Sequence, residues 1–196
     1  MPDPTQVIFR WLHFLSGITW IGLLFYLNLV NVRMMPALEA GVRPAVIGAN
    51  LRRVMAWFRH AAWATVLVGL VLWWLMGYGG IDPMSSGESA NKAKTILMGG
   101  LLGIIMALNV WFIIWPNQKK IIAAAQAGQP PDPSWGRIAL YASRTNFTLS
   151  FPMLFFMAGA THYPMDWPLV IVLGFVTAGI GALVWLSVQK WAATSF

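Results

Sequence analysis

The chain has 196 residues, a formal charge of +7 and a mean hydropathy of +0.65; 58% of residues are hydrophobic and only 10% are charged. Soluble domains carry roughly 25% charged residues, so this composition excludes a water-facing globule and points to an integral membrane protein. Cysteine is absent, which excludes disulfides, thiolate metal sites and covalent c-type haem attachment.

A spanning helix needs roughly 20 mainly apolar residues. Five runs qualify in chain order, approximately 7–32, 57–78, 95–115, 138–162 and 167–188, and together they make residues 1–196 one transmembrane domain. The expected fold class is therefore all-α, a bundle of five transmembrane helices. The length of the first run and its Trp and Asn content do not resemble a signal peptide. Arg43-Pro44 and the stretch after it read as a helix with Pro near its first turn, running into the second span. Before the third span, GYGGIDPMSSGESANK is turn-rich and reads as a loop. After the third span, NQKKIIAAAQAG continues the helix and stops at Gly128.

All six acids (Asp3, Glu39, Asp82, Glu88, Asp132 and Asp166) fall in tails or connections, as expected where a charge in hydrocarbon is costly. The basic residues lie mostly between apolar runs, where they set topology rather than bind nucleic acid. Nine of them (Arg33, Arg43, Arg52, Arg53, Arg59, Lys119, Lys120, Arg137 and Lys190) fall on one side, and Arg10, Lys92 and Lys94 on the other. That asymmetry places the N-terminus outside and the C-terminus in the cytoplasm. Trp11, Trp73, Trp74 and Trp167 then mark the outer interface, and Trp57, Trp115, Trp135 and Trp191 the inner one.

Helices in lipid meet through small residues. Gly17 and Gly22 serve the first span, Gly99 and Gly103 the third, Ala158 and Gly159 the fourth, and Gly174, Ala178 and Ala182 the fifth. Intramembrane polar residues are few. Asn28 and Asn31 share a face at a spacing of three, Asn109 lies in the third span, and Asn146, Thr148 and Ser150 lie early in the fourth. They read as interhelical hydrogen-bonding groups; a channel or carrier would need Asn28, Asn31, Asn109 and Asn146 to line one cavity.

Of the three histidines, His13 and His162 fall towards the outer face and His60 towards the inner. A core about 30 Å thick keeps His60 out of any site shared with the other two. His13 and His162 are candidate axial ligands of a b-type haem; an imidazole at a helix end also serves as an interfacial residue bonded to a carbonyl. Arg144, two turns into the fourth run, either snorkels to the inner interface or holds an anionic group. No carboxylate pair, phosphate loop or intramembrane acid is present, which disfavours acid–base enzymes and ion-coupled carriers.

The first span reads RWLHFLSGITWIGLLFYLN and the fourth SRTNFTLSFPMLFFMAGATHYP. Together they resemble the membrane domain of the bacterial urate hydroxylases, the urate oxidase N-terminal family. By that resemblance Arg10, Trp11, His13, Trp20, Arg144, Asn146 and His162 occupy motif positions, while Thr145 stands where family members commonly have His. The resemblance implies a bacterial inner-membrane protein, oxidation of urate, and transfer of electrons to a cytochrome c. With no cysteine in the chain, the acceptor would be a separate protein. Two roles follow as expectations. One is an accessory subunit of a photosynthetic or respiratory electron-transfer complex, surrounded by lipids, pigments and other transmembrane subunits. The other is a haem-b-binding, urate-hydroxylase-like oxidase domain.

Overall fold

The computed structural model describes residues 3–194, with side chains up to residue 187; the side chains of Lys190 and Trp191 lie outside the described residues. Five long helices make up the described part: α1, Pro4–Ala37; α2, Arg43–Leu75; α3, Glu88–Gln126; α4, Pro133–His162; and α5, Trp167–Thr194. Four of them, α1, α2, α3 and the Trp167–Ser187 stretch of α5, are long and apolar enough to cross a membrane. The fifth, α4, has 30 residues, which at 1.5 Å per residue is about 45 Å. It is long enough to span but less apolar, because Arg144, Thr145, Asn146, Thr148 and Ser150 interrupt its middle.

Local chemistry explains the boundaries. Asp3 caps α1, its carboxylate accepting from the Thr5 N–H at 2.9 Å, with Pro4 at the first helical position. Asp132 and Pro133 repeat the device on α4, where the Asp132 carboxylate accepts from the Ser134 N–H at 2.7 Å. The helix expected after Arg43-Pro44 runs unbroken into the second span, and the third span continues past Trp115 to stop just before Gly128, whose φ is +67°.

The start of α3 differs from expectation. Residues 88–92 read as part of the turn-rich loop, yet α3 begins at Glu88, two turns before the third apolar run. Gly87 at φ +110° ends the turn region. Glu88 then sits in the first turn, where the helix dipole favours an acid, and accepts from Lys92 one turn on at 2.7 Å. The Lys94 side chain is 95% buried, contrary to its place among the outer loop charges, and its Nζ donates to Asn91 Oδ1 at 3.0 Å.

Three wide π-turns interrupt the helices, at Tyr26–Asn31 in α1, Ile47–Leu51 in α2 and Val110–Ile114 in α3. The first two touch: Asn50 Nδ2 donates to the Tyr26 hydroxyl at 3.0 Å. In a π-turn the backbone winds more slowly, so Asn31 is rotated away from Asn28 rather than sharing its face; Asn28 is buried and Asn31 only partly so.

The core has two parts. The larger joins α1, α2, α3 and α4 through Trp20, Leu24, Met55, Phe58, Met106 and Met153. The smaller joins α3, α4 and α5 through Phe156, Met165 and Val170. Small residues let these helices approach, though not all those expected. A Cβ on Gly99 would lie 3.3 Å from the Phe156 Cβ, so α3 and α4 meet there. At Gly103 a Cβ would meet nothing within 4 Å, so the pair acts at one of its two positions. The closest approach lies at Gly181 in α5, outside the expected stripe, where a Cβ would fall 2.7 Å from the Phe151 ring and 3.0 Å from the Thr148 carbonyl oxygen. Backbone cannot yield as a flexible side chain does. Gly181→Leu is therefore expected to destabilise the α4–α5 contact by about 1–3 kcal/mol, lowering the thermal midpoint in detergent; Gly103→Ala serves as the matched control and leaves it unchanged.

Candidate functional site

At the end of the bundle where α1 begins, α1 lies against α2. Gln6 Nε2 donates to the Leu75 carbonyl at 2.9 Å, and Arg10, exposed, reaches Met76 Sδ at 3.7 Å. One turn deeper, His13 Nδ1 lies 3.0 Å from the Thr65 carbonyl oxygen. A carbonyl only accepts, so Nδ1 carries the proton and Nε2 keeps its lone pair. That is the arrangement of a metal-ligating imidazole, whose other ring nitrogen donates to a fixed acceptor. Gly69 makes the seat: a Cβ there would stand 3.0 Å from His13 Cε1. Thr65 and Gly69 carry no signal in the sequence, since their role exists only once α1 lies on α2.

His162 is exposed on the last turn of α4, and among the described residues no hydrogen bond or ring contact joins it to His13. No group of three or more His, Asp or Glu side chains suited to a metal occurs among the described residues. His60 is exposed, edge-on to Trp111 at 5.8 Å, and accepts at Nε2 from Arg59 Nε at 3.3 Å. The Arg59 guanidinium lies 3.9 Å over the Trp115 ring. Trp20 is 1% exposed in the larger core. Trp11, Trp57 and Trp74 are exposed, as expected of rings at a membrane interface.

The middle of α4 is the polar centre of the molecule. Ser143 accepts from Asn28 Nδ2 of α1 at 2.9 Å. Arg144 turns to α5, its guanidinium carbon 4.2 Å over the Trp185 ring. The Thr145 hydroxyl donates back to the Tyr141 carbonyl at 3.1 Å. Asn146, fully buried, accepts at Oδ1 from Asn109 Nδ2 of α3 at 2.7 Å and donates to the Met106 carbonyl at 2.9 Å. Successive side chains of the Ser-Arg-Thr-Asn motif thus fasten α4 to three different helices. Helical geometry requires this, because neighbours in sequence point about 100° apart.

Asn109 and Asn146 floor an open groove of about 670 Å³ between α3 and α4, walled by Ile105, Phe112, Ile138 and Tyr141. Asn28 and Asn31 are not among its lining residues; Asn28 is engaged with Ser143 instead. The four asparagines do not line one cavity, and the channel or carrier expectation fails on that point.

The sequence profile of the urate oxidase N-terminal family matches residues 84–194. The chain belongs to the urate oxidase N-terminal family. The matched segment takes in α3, α4 and α5, and with them Arg144, Asn146 and His162; Arg10, Trp11, His13 and Trp20 precede it. Neither a characterised protein nor a solved structure matches the chain. Within the family segment, the Asn109–Asn146 pair joins α3 and α4 by a direct side-chain hydrogen bond. Interhelical hydrogen bonds in membranes contribute about 0.6 kcal/mol on average and up to ~1.7. A double-mutant cycle with Asn109→Ala and Asn146→Ala is expected to give a coupling in that range, measured by unfolding in mixed micelles.

Proposed function

We propose that the chain is the membrane domain of a urate-hydroxylase-like oxidoreductase that passes electrons to a separate acceptor. The observation that carries this reading is membership of the urate oxidase N-terminal family over the helices that hold Arg144, Asn146 and His162. It supports the oxidase role over the accessory-subunit role, which no observation on the described residues favours. In this reading His13 would hold a b-type haem through Nε2, with His162 as the candidate second ligand. The haem would supply one-electron transfer. The chain supplies the seat: Thr65 fixes the His13 tautomer, and Gly69 leaves room for the ring.

The expected outcome is urate-dependent reduction of added cytochrome c by protein in liposomes, with a b-type pyridine haemochrome spectrum. His13→Ala and Gly69→Leu should each lower the bound haem. Absence of urate-dependent reduction sinks the activity, and a haem content unmoved by His13→Ala sinks the ligand assignment.

The same reading places the chain in a bacterial inner membrane, N-terminus outside, with α4 as a fifth crossing. Polar residues on α4 turned towards α1, α3 and α5 are compatible with a helix buried among spans. Reporter fusions test it. A fluorescent protein inserted at residues 127–132 and one at the C-terminus should both fluoresce, whereas a phosphatase inserted at 163–166 should be active. A phosphatase inactive at 163–166 would mean that α4 does not cross.

A further inference from the structure

We propose that Arg144 and Trp185 form a binding site for the phosphate of a membrane lipid, on the seam between α4 and α5. Arg144 lies further inside an expected span than Arg10 or Arg59, the other basic residues within those bounds, and all six acids lie in tails and connections. The nearest acid along its own helix, Asp132, is twelve residues away, about 18 Å at 1.5 Å per residue. Among the described residues Arg144 makes no ion pair or hydrogen bond. Its contacts are aromatic, with Trp185 at 4.2 Å and Tyr141 at 5.8 Å.

Two donors in this stack are orphaned. Arg144 Nε–H and Trp185 Nε1–H are both shut off from solvent with no acceptor. A buried donor left unmade costs about 1–3 kcal/mol, and a membrane-embedded cation without a partner costs more. The remainder of the half-buried guanidinium reaches the surface. Those surface N–H groups, and not the two enclosed ones, are the donors that an outside anion can reach.

Depth selects the anion. In sequence the fifth apolar run covers 167–188 and gives way to Gln189 and Lys190; its length, about 33 Å at 1.5 Å per residue, is close to the hydrocarbon thickness. Trp185 lies three residues before its end, near the level where hydrocarbon gives way to headgroups. Lipid phosphates are concentrated there, and cationic sites between helices at that level take headgroups. The planar fork of Arg matches phosphate oxygens in pairs while its face stays stacked on the indole.

Native mass spectrometry of the purified protein tests the site, with phosphatidylglycerol, diacylglycerol of the same chains and inorganic phosphate as probes. Wild type should retain phosphatidylglycerol and not diacylglycerol, and millimolar phosphate should not displace it. Arg144→Gln should weaken retention about tenfold, roughly one charge-assisted hydrogen bond. Trp185→Leu removes the ring under the guanidinium and should weaken retention about threefold, one exposed cation–π contact. Unaltered retention in Arg144→Gln, or equal retention of diacylglycerol, overturns the proposal. Displacement by inorganic phosphate overturns the lipid as occupant and makes the site one for free anions. Should Arg144→Gln fail to fold by circular dichroism, Trp185→Leu decides, and unaltered retention in it overturns the proposal.

Discussion

Hydrocarbon offers no partner to a polar side chain, and the arrangement of this bundle around α4 follows from that. An amide or hydroxyl turned to lipid forfeits its hydrogen bonds, so each polar residue in the middle of α4 must meet another helix or its own backbone. Ser143 meets Asn28, Asn146 meets Asn109, and Arg144 meets the Trp185 ring. Three helices are thereby held at fixed rotation about a fourth. Apolar packing alone specifies rotation weakly in lipid, because hydrocarbon tails are as apolar as leucine. The polar contacts select one rotation per helix, and Phe147 against Phe25 and Phe151 against Gly181 then pack at the same levels.

The same constraint explains why α4 reads as the least apolar of the five helices. Its polar side chains have protein partners, so it tolerates them at little cost. The other four present wide apolar faces outward, with Phe14, Leu67, Phe112 and Phe175 well exposed. The helix whose sequence is least apolar is thus the one whose polar side chains reach three of its neighbours.

How much of this was legible in the sequence divides along physical lines. The positions of the helices were, because hydropathy and local stops act within a turn or two, as at Arg43-Pro44 and Gly128; the caps Asp3-Pro4 and Asp132-Pro133, which start α1 and α4 ahead of their apolar runs, were passed over. The start of α3 was misread because turn-forming residues outweighed a short-range ion pair, Glu88–Lys92, that stabilises the helix only once it has formed. The π-turns left no trace, since one extra residue in a helical turn is chosen by packing, here by contacts such as Asn50 with Tyr26. For the site, the residue types were legible and their partners were not. His13, Arg144 and Asn146 stand out as polar groups in apolar runs. Thr65, Gly69, Gly181 and Trp185 do not, because a small or aromatic residue is unexceptional in a membrane helix until another helix lies on it.

The two-part core bears on where chemistry can sit. Around Trp20, Met55, Phe58 and Met106 the helices from α1 to α4 share one packed interior, which leaves no room for a cofactor without repacking. Towards the beginning of α1, the second cluster takes in α3, α4 and α5 but neither α1 nor α2. There the α1–α2 pair is held by its own contacts, from Gln6 with Leu75 to His13 with Thr65. His13 therefore sits on the α1–α2 pair, outside both clusters and two turns before Trp20. Its imidazole is fixed on α2 through Nδ1, which leaves Nε2 as the nitrogen that could meet a bound group. A seat deeper in the larger core would have excluded one.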